Sequence, residues 1–328
     1  MNITTKIQKL KNRIIFISVQ PDEPYFFWQV EVFIHNAIKC GINPRDIQIL
    51  FSWVNEPSKE LLALQKKYAF AKFHLYERTQ IDNFGYIPIL RPDALEKHFL
   101  KFPELRGEVI FYHDTDIIFK ELPDFDSMYW DNYWYLSDTI SYIGAEYIKF
   151  QSDSLLASLC ELAGIDRSIV ESNQQNSGGA QYLMKGLSSD FWRDVKELTL
   201  RLYKFMLDRE EAERKELTVE QLVNYNPIQK WCSDMWAVLW CAWKRGHLTK
   251  ISAELGFSWG SSNSYEWDQF NIMHNAGVTG NEDGRKFYKG DFIDKSPFNA
   301  DLSSVDPSFN SWNYVQAILY AKEQRKLL

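Results

Sequence analysis

"VIFYHDTDIIF", residues 109–119, sets two carboxylates, Asp114 and Asp116, at the end of an apolar run. An unpaired carboxylate taken out of water carries a heavy desolvation cost or gives up its charge, so something must compensate this pair. The run itself reads as a buried strand. Upstream, "RIIFISVQ" (13–20) is another apolar run, closed by Pro21. Phe26, Val30, Phe33, Ala37 and Ile38 then recur at three- and four-residue spacing until Gly41, the pattern of a helix and its stop. The alternation continues with strands at 46–53 and 70–77, helices at 59–68 and 91–102, and "GEVIFYHDTDIIF" (107–119) as one fourth strand.

Strands alternating with helices predict an α/β fold: a mainly parallel sheet covered by helices on both faces, with ligands outside the carboxyl ends of the strands. Asp114 and Asp116 fall at such an end. The second half is less regular, with a strand at 132–139 and helices at 152–163, 188–207 and 228–246. Residues 208–221, "DREEAERKELTVEQ", read as a solvated helical face or loop. No repeat or linker divides the chain, so residues 1–290 are expected to form one domain and 291–328 an extension packed on it.

Composition narrows the class. With 328 residues, 45% of them hydrophobic, the chain can bury a large core. Its densest apolar stretch, "MWAVLWCAW" (235–243), falls well short of the ~20 residues a spanning helix needs. The amino-terminal residues lead straight into a strand without a cleavage-site pattern, so the expected location is the cytoplasm of a bacterial or phage-infected cell. Cys40, Cys160, Cys232 and Cys241 are too scattered for a zinc site or a disulfide framework. A net charge of −7 argues against a broad grip on nucleic-acid phosphates.

Two aspartates one residue apart at a strand end can face one cleft once the strand turns. A hard divalent cation, Mn²⁺ or Mg²⁺, would neutralise both and keep positions free for a diphosphate, although ordinary turns also use aspartate freely. His274 in "NIMHNAG" offers a neutral imidazole as third ligand, and Asn275, Ala276 and Gly277 suit a close backbone approach. In "QQNSGGAQYLMKG", Gly178 and Gly179 permit positive φ and a close backbone approach to a ligand, with Asn176, Ser177 and Gln181 as hydrogen-bonding side chains beside them. The turn "SVQPDEPYFFWQ" (18–29) supplies Gln20 or Gln29 as a hydrogen-bond donor at the end of the first strand. Asp234 is an acid in a helix of Trp and Leu, where it needs a partner or a purpose.

On these residues the chain resembles glycosyltransferases of the GT-A (Rossmann-like) fold, with "HDTDIIFKELPDF" (113–125) as the Asp-x-Asp segment. The stretches "PYFFWQVEVFIHNAIKCG" (24–41), "GYIPILRPDALEKHF" (85–99), "NSGGAQYLMKG" (176–186), "WCSDMWAVLWCAWKRG" (231–246) and "FSWGSSNSYEWDQFNIMHNAGVT" (257–279) are similar, in order, to the hydroxyproline O-arabinosyltransferase and peptidyl-serine galactosyltransferase group. The likeness spans about residues 13–290. It implies a metal held by Asp114, Asp116 and His274, and a uridine diphosphate sugar, pentose or hexose, as donor. Arg91 and Asp93 would flank nucleotide and metal, and Lys286 and Lys289 would meet the departing diphosphate. Asp234 and Gln181 would orient the donor sugar and acceptor hydroxyl, with retention of configuration. The acceptor stays open among a hydroxymethylated base in DNA, a protein hydroxyl and a glycan. Two other readings compete: a non-catalytic nucleotide-sugar or glycan-binding module, and a metal-dependent phosphate-ester hydrolase.

Overall fold

The computed structural model describes residues 10–79, 84–276 and 284–328. Strands β1 (Ile14–Pro21), β2 (Ile47–Trp53), β3 (Lys72–Glu77), β4 (Val109–Tyr112), β5 (Ile117–Phe119), β6 (Tyr133–Asp138), β7 (Gly178–Lys185), β8 (Leu248–Ile251), β9 (Phe257–Trp259) and β10 (Ile272–His274) build two sheets. The larger has the order β3-β2-β1-β4-β7-β6-β8. β7 runs against both of its neighbours, and the other pairings are parallel.

Strand alternation explains why helices cover both faces. In β1, Ile14 and Phe16 join one core with the helices Pro24–Lys39 and Lys59–Lys67. Ile15, Ile17 and Val19 point the other way, into a core shared with the helices Leu90–Lys101, Ser189–Glu216 and Ser233–Lys244. A strand buried on both sides needs a continuous apolar run, which is what "IIFISV" is. The mainly parallel, helix-covered sheet is the one the alternation of elements predicts.

One expectation is corrected. Residues 107–119 are not one strand: β4 pairs with β1 only as far as Tyr112 opposite Ile17, and β5 belongs to a second sheet of order β5-β10-β9. The turn between them lets Ile118 enter a third core with Trp28, Val32 and Met273. The acidic stretch 208–221 continues the helix Ser189–Glu216, and then Thr218 caps the short helix Val219–Val223 by a reciprocal bond with Gln221. Phe287, Phe292, Phe298, Tyr314, Val315 and Ile318 complete the third core against Trp28 and Val32. Residues beyond 284 therefore pack directly behind the β4–β5 turn. Among the described residues, no helix is long and apolar enough to cross a membrane.

The core also holds uncharged imidazoles. Under β2 and β3, His98 lies between the Tyr76 hydroxyl and the Gln48 side-chain oxygen, each at 2.7 Å. Burial, helped by His74, Lys101 and Lys72, pushes its pKa down to about 3. A depressed imidazole pKa means that the unfolded chain binds the proton first. Its stabilising contribution is complete above pH 6.5 and is lost as pH falls from there towards about 3. We expect this histidine to remove about 1.4 kcal/mol of unfolding free energy per pH unit over that window. Urea unfolding at pH 6.5, 5.5 and 4.5 should show the loss, with a shallower slope in His98→Gln; an identical slope would contradict it.

Candidate active site

The strand order places a switch point between β1 and β4, because the chain moves from β1 out to β3 and then returns beside β1. Loops part at such a point and leave a crevice at the carboxyl ends of the strands. A pocket of about 630 Å³ opens there, lined by Val19 of β1, by Tyr25 and Gln29 of the helix that follows it, and by Asp114, Thr115 and Asp116 between β4 and β5. Its far wall comes from Tyr142, Tyr182, Trp231 and Asp234.

The buried acids find their partners here. His274, closing β10, is registered opposite Ile117, the first residue of β5. Its Nε2 therefore lies 3.2 Å from Asp116 Oδ1 and 3.6 Å from Asp114 Oδ2. The Asp116 carbonyl accepts from the Asn275 N–H at 2.9 Å, which fixes the two strand ends together. Arg91, at the start of its helix, bridges Asp114 at 2.8 Å and Asp234 at 3.1 Å. Lys289 pairs with the remaining oxygen of Asp116.

Burial alone would push the Asp116 carboxyl up, but Lys289 and His274 outweigh it and hold it well below the usual carboxylate range. Asp234 goes the other way. Burial raises it despite the pull of Arg91 and of the Tyr86 hydroxyl, which donates to it at 2.8 Å. Three carboxylates thus meet two permanently charged side chains, Arg91 and Lys289, with His274 set against Asp114 and Asp116.

The donor set fits a divalent cation. Ligand atoms of Asp114, Asp116 and His274 all lie within 4.8 Å of one another, two hard oxygens and one imidazole nitrogen. A cation there would compete with Lys289 for Asp116. Gln29, Arg91, Asp234 and Lys289 also line the pocket.

Other expected site residues point elsewhere, and alternation along the chain is the usual reason. Gln20 follows the pocket-lining Val19 and faces the opposite side of β1, where it donates to the Leu50 carbonyl at 2.8 Å. Gln181 precedes the pocket-lining Tyr182 and is buried on the other face of β7, where it accepts from Ser137 Oγ at 2.6 Å. Its expected contact with the sugar is therefore corrected. Asp93 is buried between Lys97 and Lys196, at 2.7 Å and 3.2 Å, as a clamp between helices. Ser177 donates to the Asn173 carbonyl, and Lys286 lies over the Phe309 ring.

The glycines are corrected too. Neither Gly178 nor Gly179 has positive φ; the left-handed residue is Ala180, at 65°. A Cβ on Gly178 would come within 2.5 Å of the Ser137 carbonyl, so this glycine serves strand packing. One on Gly179 would meet the Met235 methyl at 2.4 Å and the Tyr182 hydroxyl at 2.7 Å, so its small size makes room for two groups that line the pocket. Gly277 lies outside the described residues.

Sequence reasoning missed Tyr86, which ties Asp234 down, and the indoles of Trp231 and Trp259. Trp259 stacks on His274 with centroids 5.6 Å apart at 23°. All three lie inside stretches already singled out for Arg91, Asp234 and His274. An aromatic beside a candidate acid was the available signal.

No family model and no curated protein sequence matches the chain. Among solved structures it is similar to the bifunctional glycosyltransferase WbbM, at 10% identity and TM-score 0.48, over 97% of this chain and 52% of that one. It thus spans about half the length of that protein. It is also similar to the galactosyltransferase LgtC in complex with donor and acceptor sugar analogues, at 10% identity and TM-score 0.44, over 92% of this chain and 94% of that one. An active-site mutant of LgtC aligns at TM-score 0.46 with 10% identity, over the same shares of the two chains.

The competition at Asp116 gives a direct test. Calorimetric titration with Mn²⁺ should show binding to the wild-type chain, weakened about tenfold or more in Asp116→Asn, which by affinity arithmetic is about 1.4 kcal/mol. Lys289→Met removes the competing ammonium and should tighten Mn²⁺ binding. Weaker binding in Lys289→Met would contradict the arrangement.

Proposed function

We propose that the chain is a metal-dependent glycosyltransferase of GT-A type, moving a sugar from a uridine diphosphate sugar to an acceptor hydroxyl. One observation carries this reading: Asp114, Asp116 and His274 converge at the carboxyl edge of β4, between a crevice at the end of β1 and an aromatic pocket wall. The sequence resemblance supports the uridine nucleotide, a pentose or hexose donor, and retention of configuration.

Asp114, Asp116 and His274 would hold Mn²⁺ or Mg²⁺, which when bound stabilises the negative charge that develops on a leaving diphosphate. The chain's own groups do the rest. Tyr25, Phe26 and Gln29 face the crevice beyond β1 and would receive the nucleotide. Lys289, its charge reinforced by Asp116 against the effect of burial, stands ready for phosphate oxygens. Asp234 is held by Arg91 and Tyr86 in one orientation, so it can accept a hydrogen bond from a sugar hydroxyl without reorganising. Arg91 reaches Asp114 and Asp234 together and so couples the cation site to that acid.

Calorimetric titration of uridine diphosphate tests the donor half. Binding is expected with Mn²⁺ and not with chelator. Asp114→Ala should lose it and lower sugar transfer at least a hundredfold while far-UV circular dichroism stays unchanged. Nucleotide binding indifferent to both chelator and substitution would sink the reading.

A further inference from the structure

The pocket is unevenly charged. Among its described lining residues Arg91 and Lys289 are the only lysine or arginine side chains, and carboxylates engage both. The wall beyond Asp234 is made of Tyr142, Gln229, Trp231, Cys232 and Met235, none of which carries a charge. The next cation along the chain, Lys230, is paired with Glu210.

Trp231 stands out on this wall. It sits in the short turn Lys230–Cys232 that leads into the helix of Asp234, and it is 57% exposed. Such an indole leaves much apolar surface in water, yet it is held firmly. The Tyr86 hydroxyl lies 2.8 Å from its carbonyl, its single proton shared between that oxygen and Asp234, and the Tyr86 ring meets its ring edge-on at 5.4 Å. Tyr86 is itself fully buried and stacked on Tyr203. The same phenol contacts Asp234, so one anchored side chain positions both the exposed indole and the buried acid.

We propose that Trp231 is the stacking floor for an uncharged sugar ring, and that the acceptor is therefore a saccharide hydroxyl. The inference rests on the glycosyltransferase reading above. A sugar ring has an apolar C–H face and a rim of hydroxyls. The indole matches the face, and Gln229 and Asp234 flank it with polar groups for the rim. A nucleic acid would need free cations for its phosphates, and this wall supplies none. In the transfer, the acceptor oxygen bonds to the anomeric carbon as the bond from that carbon to the diphosphate oxygen breaks. The electron pair leaves with the diphosphate, and the hydroxyl proton passes to the same oxygen.

Saturation-transfer nuclear magnetic resonance on the full chain tests this with methyl pyranosides of glucose and galactose. We expect transfer to ring C–H protons of at least one of them, with affinity falling about tenfold or more in Trp231→Ala and largely restored in Trp231→Phe. No transfer to either pyranoside, or transfer unchanged in Trp231→Ala, overturns the inference. So does sugar transfer to a hydroxymethylcytosine duplex or a serine peptide in preference to the pyranosides. Release of uridine diphosphate from a donor sugar, measured on the wild-type chain in parallel, separates the failures. Release without pyranoside binding removes the acceptor assignment alone, and absence of both removes the functional reading with it.

Discussion

The burial of Asp116 is the constraint around which the rest is arranged. Its carboxylate is almost wholly removed from solvent and stays ionised because Lys289 and His274 oppose the desolvation. A buried charge with one partner removed is strongly destabilising. The three residues come from the turn between β4 and β5, from β10 and from the segment after 284, so the compensation exists only when all three are docked. Trp28, Val32, Ile118 and Met273 provide the apolar contact that docks them. The third core is thus the mechanical support of the ion cluster.

Arg91 extends the same logic across the pocket. It joins Asp114, on the strand side, to Asp234, on the helix side, and so links two walls that approach from different parts of the chain. Such a bridge in low dielectric holds geometry at the cost of desolvation. Opposed shifts at Asp116 and Asp234 follow from the same source. Asp116 touches an ammonium and an imidazole, whereas Asp234 shares its guanidinium with another acid.

The aromatic residues divide by position rather than by type. Phe16, Phe33 and Phe111 fill the cores of the sheet, while Trp231 and Trp259 border the pocket, each resting on a residue of the site, Tyr86 or His274. An aromatic next to a constrained polar group forms a rigid surface with a polar edge, which suits ligands that have both kinds of face.

Much of this was legible in the chain itself. Apolar runs and three-to-four spacing depend on local chemistry, so the alternation of strand and helix, the parallel sheet and the strand-end aspartates could be read directly. That two carboxylates at 114 and 116 require compensation also follows from residue type alone. Sequence did not reveal where β4 ends and β5 begins, because "VIFYHDTDIIF" is equally apolar on both sides of its turn, and only the partners β1 and β10 distinguish them. Nor did it show which of two neighbours faces the pocket. Gln20 and Val19, or Gln181 and Tyr182, exchange roles with a one-residue change of register, which is set by pairing across the sheet. The approach of Lys289 to Asp116, 173 residues away, was likewise a matter of tertiary structure, since no local rule connects side chains that meet only after a core has formed between them.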